Sequence, residues 1–120
     1  MKKLTGIGMV IGEVDSNGTL VTKEAAKEMV DKFKGCPLGY EFNPTIPPVG
    51  KIIKTEIVGD NVEIEAELEG IFNEKFAIVP SFIIKNMHIE DGYKVIDSAE
   101  LISFSLTSQP ADKNVTMWLL

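Results

Sequence analysis

The sequence predicts an α+β domain: a small, mostly antiparallel β-barrel of about seven strands with one main helix on its outside. Three observations carry this reading. The stretch Ser98–Asp112 places Ala99, Leu101, Phe104 and Leu106 among hydroxyl side chains and stops at Gln109-Pro110. A β-prone run this long and apolar calls for the centre of a small sheet, because its backbone and both faces need partners. Its alternation slips at Ile102–Phe104, as at a bulge or in a strand buried on both faces. The second observation is a hairpin, Val49–Val58 and Val62–Glu69, joined by Gly59-Asp60-Asn61. The third is a single stretch of helical periodicity, in which Ala25, Ala26, Met29, Val30 and Phe33 share a face.

The remaining elements follow in order. Lys3–Val14 reads as a strand, with Gly6, Gly8 and Gly12 marking a bulge or a close backbone approach. Asp15-Ser16-Asn17-Gly18 is a turn, since Asn-Gly readily takes positive φ. After a brief strand over 19–21, Thr22 caps a helix over 23–34. Glu24 and Glu28 lie toward its start, and Gly35 is its stop. Cys36–Pro48 holds prolines 37, 44, 47 and 48 and reads as a stiff loop, with Tyr40 and Phe42 pinning it to the core. A short second helix is expected over 71–77. A strand over 78–87 is interrupted early by Pro80, which fits an edge or a bulge. A turn over 89–92 leads through Tyr93–Ile96 into the central run. Residues 1–114 thus form one domain, followed by the apolar tail 115–120.

Composition excludes several functions. The chain has 120 residues, 44% of them apolar, which is enough for one core. Its net charge of −6 argues against a general nucleic-acid binder, which needs a basic face. One cysteine, Cys36, leaves no intrachain disulfide and no cysteine zinc cluster, and one histidine, His88, argues against an imidazole metal site. No cofactor is expected. The apolar run after Lys2-Lys3 is broken by three glycines and followed by Glu13, so it does not read as a secretory signal. No stretch approaches the ~18 apolar residues of a membrane span. A soluble protein made in a cytoplasm is expected.

Two surfaces stand out. Glu63, Glu65, Glu67 and Glu69 alternate along one strand face, opposite Val62, Ile64, Ala66 and Leu68. Side chains on one face recur about every 6.6–7 Å, too wide for a compact calcium site. The face is therefore solvated, or it docks a basic partner. In the tail, Met117, Trp118, Leu119 and Leu120 must be buried in this domain or in a partner. Tryptophan is a favoured anchor.

Three segments together resemble the prohead maturation proteases of tailed phages, distant relatives of the herpesvirus assemblins. They are P-P-V-G-K-I at 47–52 with the hairpin ending in E-A-E-L, I-V-P-S-F-I-I-K at 78–85, and A-E-L-I-S-F-S-L-T-S-Q-P-A-D at 99–112. The opening G-x-V-D-x-x-G-x-x-V, Gly12 to Val21, is also similar. The resemblance implies the same barrel and a site of serine nucleophile, histidine base and a third orienting group. The positions matching these are Val79, Asn43 and Ser103. None carries the family's chemistry, since an amide does not take a serine proton and valine has no nucleophile. A displaced set would use Ser81 or Ser105 with His88, and a thiol version would use Cys36 with His88.

The resemblance therefore implies a catalytically inactive relative, a virion structural protein that decorates or cements the capsid. Its partner would be the major capsid protein or another virion protein, with self-association possible. The rival readings are an active maturation protease with displaced catalytic residues and a generic β-barrel protein-binding module.

Overall fold

The computed structural model describes residues 2–70 and 72–120. It contains strands β1 (Lys2–Val10), β2 (Thr19–Val21), β3 (Pro37–Tyr40), β4 (Gly50–Val58), β5 (Asn61–Leu68), β6 (Lys75–Glu90), β7 (Tyr93–Thr107) and β8 (Trp118–Leu119). The one helix among the described residues, α1, spans Lys23–Val30. The strands form a curled half-barrel in the order β1-β5-β4-β3-β7-β6-β8, with β2 also paired to β7. The predominance of strands and the single helix match the sequence expectation. Two features differ from it. The sheet is mixed, because β2 and β3 both pair with β7 in parallel. It is also not closed, because β8 pairs with β6 only at Lys75 and Phe76.

The long run predicted to be central is β7. One of its edges pairs with β6 from Ala77↔Thr107 to Glu90↔Tyr93. The other edge is shared end to end by β2, which pairs with residues 94–96, and β3, which pairs with residues 104–106. The predicted slip is a bulge: Ser81 pairs with Ser103 and Phe82 with Leu101, which leaves Ile102 extra. The β6–β7 turn places Asp91 and Gly92 at φ 52° and 81°, both left-handed as a tight hairpin turn of this length requires.

Helix α1 begins as expected. The Thr22 hydroxyl accepts from Ala25 N at 3.2 Å and donates to the Ile96 carbonyl at 2.9 Å, which ties the cap to β7. It ends at Val30 rather than at residue 34. Lys32 and Phe33 donate three residues back, to Met29 and Val30, so the chain tightens into turns after Val30. This places Phe33 edge-on against Phe104, with ring centroids 4.6 Å apart. Both rings are fully buried, in one cluster with Met29, Leu38, Ile52 and Ile64.

Two further expectations are corrected. Pro37–Tyr40 is strand β3 and not loop, because Leu38 is fully buried between β4 and β7. Pro37 is its first residue, where a missing N–H is tolerated. The helix expected over 71–77 does not form, since Lys75–Ala77 open β6. Ile71 lies outside the described residues. Phe72 packs instead on Tyr40 and Phe76 at 5.9 and 5.5 Å. The Tyr40 expectation holds.

The tail folds back across the open side. Thr116 N donates to the Ile7 carbonyl at 2.9 Å, and its hydroxyl accepts from Ile7 N at 2.8 Å. Val115 is buried, and Trp118 packs against the core. The glycines of β1 permit this, as a Cβ on Gly6 would lie 2.6 Å from both Thr116 Oγ1 and Trp118 Cζ2. Residues 115–120 are thus part of the half-barrel, with Leu119, 73% exposed, pointing away from it.

Deletion of residues 115–120 should therefore destabilise the domain by roughly 2–3 kcal/mol. The estimate is the cost of truncating a buried tryptophan, reduced for the partial exposure of Trp118. Thermal unfolding should show a fall in Tm on the order of 10 °C. Gly6→Val should act in the same direction by overpacking, about 1–3 kcal/mol in urea unfolding. An unchanged Tm in the truncated chain would mean that the tail does not belong to the fold.

Candidate functional site

A groove of about 420 Å³ lies on the open side of the half-barrel. It forms where β1 and β6 diverge. At Gly8 the two strands nearly touch, since a Cβ there would lie 3.3 Å from the Ile78 carbonyl oxygen. Beyond that point Met9 and Val10 line one wall, and Val79, Phe82 and Ile84 of β6 line the other. Among the described residues, no strand pairs with the outer edge of β6 beyond Phe76.

One end of the groove carries Phe42. The sequence suggests a core-pinning ring, but Phe42 is 53% exposed and borders the groove. Its position is imposed by the backbone. Glu41 and Phe42 stand at φ 50° and 56°, two successive left-handed residues other than glycine, a conformation with a steric cost. Three contacts hold them. Phe42 N donates to Ser105 Oγ at 2.8 Å, Glu41 N donates to the Leu106 carbonyl at 2.8 Å, and the Glu41 carboxylate accepts from Ser108 N at 2.6 Å.

The rim carries Glu13, Asp15 and Asp112. Among the described residues no cation lies within salt-bridge distance of any of them. Asp15 Oδ1 accepts from Asn17 N and Thr19 N and shapes the turn, and Asp112 Oδ1 accepts from Asn114 N. Glu13 is exposed.

The structure brings one of the three resemblance-derived positions, Val79, to this groove. Val79 lines it and pairs with Ser105, whose hydroxyl accepts from the residue preceding Asn43. Asn43 itself shapes its loop, its Oδ1 accepting from Thr45 N and Thr45 Oγ1 at 3.0 and 2.7 Å. Ser103 lies two residues along β7 from Ser105 and pairs with Ser81.

The displaced sets do not assemble. Ser81 and His88 are both on β6, seven residues apart, roughly 23 Å along an extended strand. His88 stands near the hairpin turn. Its Nδ1 is 2.6 Å from Asp97 Oδ2, and its Nε2 faces Glu90 at 3.5 Å. Both ring nitrogens thus meet carboxylates, and no hydroxyl is within hydrogen-bonding distance of either. At Cys36, burial pushes the thiol up, against forming the thiolate that nucleophilic chemistry needs.

The glutamate strand is β5, flanked on both sides. Glu67 lies between Lys3 and Lys51, and Glu65 between Thr5 and Lys54, while Glu63 faces Ile7 and Glu56. Cross-strand lysines thus offset much of the charge of this face. Glu69 follows the strand, exposed. Among the described residues no three His, Cys, Asp or Glu side chains converge as for a metal, and no helix is long and apolar enough to cross a membrane.

The Asp97 hydrogen bond, assisted by the nearby Glu90, raises the His88 pKa above its ordinary 6.5. Because the folded value exceeds the unfolded one, the pair adds stability in full below about pH 6.5. That contribution is lost as pH rises through the raised folded value. An NMR titration should give a His88 midpoint above 6.5, and Asp97→Asn should lower it. A midpoint unchanged by Asp97→Asn would dissolve the pair.

Comparison with family models, curated proteins and solved structures returns no match.

Proposed function

We propose that this chain is a non-enzymatic docking protein of a tailed-phage virion, of the capsid-decorating kind, which binds the major capsid protein or another virion protein. The observation that carries the docking part is the β6–β7 arm. Its strands run 16 and 15 residues, against the 5–6 usual in globular sheets. Every residue of β6 from Ile83 to Glu90 is exposed. Ile83, Ile89 and Ile102 are 54%, 63% and 58% exposed, and Met87 and Tyr93 accompany them. An arm with this much apolar surface in water is more useful against a partner than alone.

The non-enzymatic part is supported by Asn43, Val79 and Ser103 at the positions where the resembled proteases carry their chemistry, and by the separation of Ser81 from His88. The virion assignment rests on the resemblance of segments 47–52, 78–85 and 99–112. A fold retained with its docking surfaces and without its catalytic groups fits that reading. The exposed residues of the tail, Met117 and Leu119, extend the available surface, while Trp118 and the β5 glutamates offer less than the sequence suggests.

The test has two parts. A serine-reactive phosphonate should leave the mass of the protein unchanged, and stoichiometric labelling of any serine would refute the non-enzymatic reading. The chain should also co-sediment with capsids of the virus that encodes it and be present at high copy in mature particles. Ile83→Asp with Ile89→Asp should keep the circular dichroism spectrum and abolish co-sedimentation. Capsid binding indifferent to these changes would remove the arm from the interface.

A further inference from the structure

We infer that the groove between β1 and β6 accepts an extended segment of another protein as an added strand on β6, and that this segment carries lysine or arginine at the end that meets Glu13, Asp15 and Asp112. The inference deepens the docking reading and rests on it. It concerns a surface that adjoins the exposed arm and shares Ile84 with it.

The free backbone is the first argument. Between Ala77 and Ile84, β6 is fully paired to β7 on one side and has no strand on the other among the described residues. Unpaired N–H and C=O groups along such an edge are a template for strand addition. Ladder hydrogen bonds supply affinity in this mode, and pockets for alternate side chains supply selectivity. Val79 and Phe82 of β6, with Met9 of β1 opposite, provide apolar walls for such side chains. Phe42 stands at the end of the groove on a backbone held in the left-handed region by Ser105, Leu106 and Ser108. Strain of this kind, kept in place by surrounding bonds, fixes an exposed ring in one position.

Charge selects the occupant. The rim supplies three carboxylates, and no lysine lines the groove. None of the three carboxylates is ion-paired among the described residues. A second copy of this chain, with net charge −6, is the wrong partner for it. An extended apolar segment with a basic end matches both the walls and the rim. Pro80 contributes no N–H to the edge, so the added strand pairs through the carbonyls and the remaining amides.

The test is selection from a random peptide library of about eight residues, a length that spans the free stretch of β6 at strand rise. Selected peptides should alternate apolar residues and carry lysine or arginine at one end. On binding, amide hydrogen exchange should slow over residues 78–84, with little change at residues 86–90. Glu13→Lys with Asp112→Lys, both at partly or fully exposed positions, should weaken binding by about tenfold. Phe42→Ala should weaken it while leaving Tm close to that of the parent. Failure to enrich basic residues, indifference to the double charge reversal, or protection confined to the arm would each overturn the inference. Capsid co-sedimentation by the double charge-reversal variant distinguishes the two readings. If it persists while peptide selection fails, the docking function stands and the groove is not its site.

Discussion

The fold depends on satisfying the two backbone edges of β7. A fifteen-residue strand, buried at Val95, Ile96 and Ala99 and again from Phe104 to Thr107, leaves little room for unpaired amides and carbonyls. The long hairpin partner β6 covers one edge completely. The other is covered in three pieces. β2 takes residues 94–96, β3 takes residues 104–106, and α1 crosses between them. In the gap, Glu28 of α1 accepts from Ala99 N at 3.1 Å and from Ser98 Oγ at 2.7 Å. A helix side chain thus stands in for a missing strand. The Ser98 hydrogen bond, with lesser help from Lys85, lowers the Glu28 pKa, which keeps it an acceptor. The fully buried Ala25, Ala26 and Met29 on the same helix bring Glu28 to this position.

This arrangement explains why the sheet is mixed. The segment β2-α1-β3 leaves β7 and returns to the same edge farther along, so both short strands run parallel to it. The sequence shows the components and not this use of them. The β7 run, its bulge, the β4–β5 hairpin and the Thr22 cap are all readable, because each depends on neighbours close in the chain. Strand β3 is not. Pro37-Leu38-Gly39-Tyr40 is four residues long and lies among prolines, and only the distant strands β4 and β7 make it a strand. The same holds at 71–77, where tertiary pairing of Lys75 and Phe76 with the tail overrides local helical character.

The site was less legible than the fold. Set against the resembled family, the residue types at 43, 79 and 103 give no positive sign of a site, and nothing in the pattern marks Phe42 as a groove residue. Its exposure follows from positive φ at Glu41 and Phe42, and residues other than glycine give little sign of that conformation. The glutamate alternation was visible, but its meaning depended on register. Lys51 and Lys54 lie across the same hairpin and Lys3 is far away in the sequence, and only the pairing of β1 and β4 with β5 brings all three beside the glutamates. A charge pattern on one strand acquires a sign only when its neighbours are known.

The open edge of β6 has its own logic. An exposed strand of this length invites uncontrolled pairing, and natural edges carry charges, prolines or bulges against it. The distal arm has such guards. The register shifts on both sides of Asn86, and Lys85 lies in the first shift, its ammonium 3.8 Å from Glu28. Proximally, β8 and Thr116 cover the edge at Phe76 and the neighbouring β1 strand at Ile7. Between these regions, residues 79–84 carry Pro80 and the Ser81/Phe82 shift but no charged side chain. Their protection comes from outside the strand, from the walls of the groove and from the carboxylates at its rim. Such a rim repels acidic edges, including those of this chain's own copies at net charge −6, and attracts basic ones. Edge protection and selectivity then have one physical source, and the unguarded stretch is the part of the sheet where pairing is restricted by charge rather than blocked.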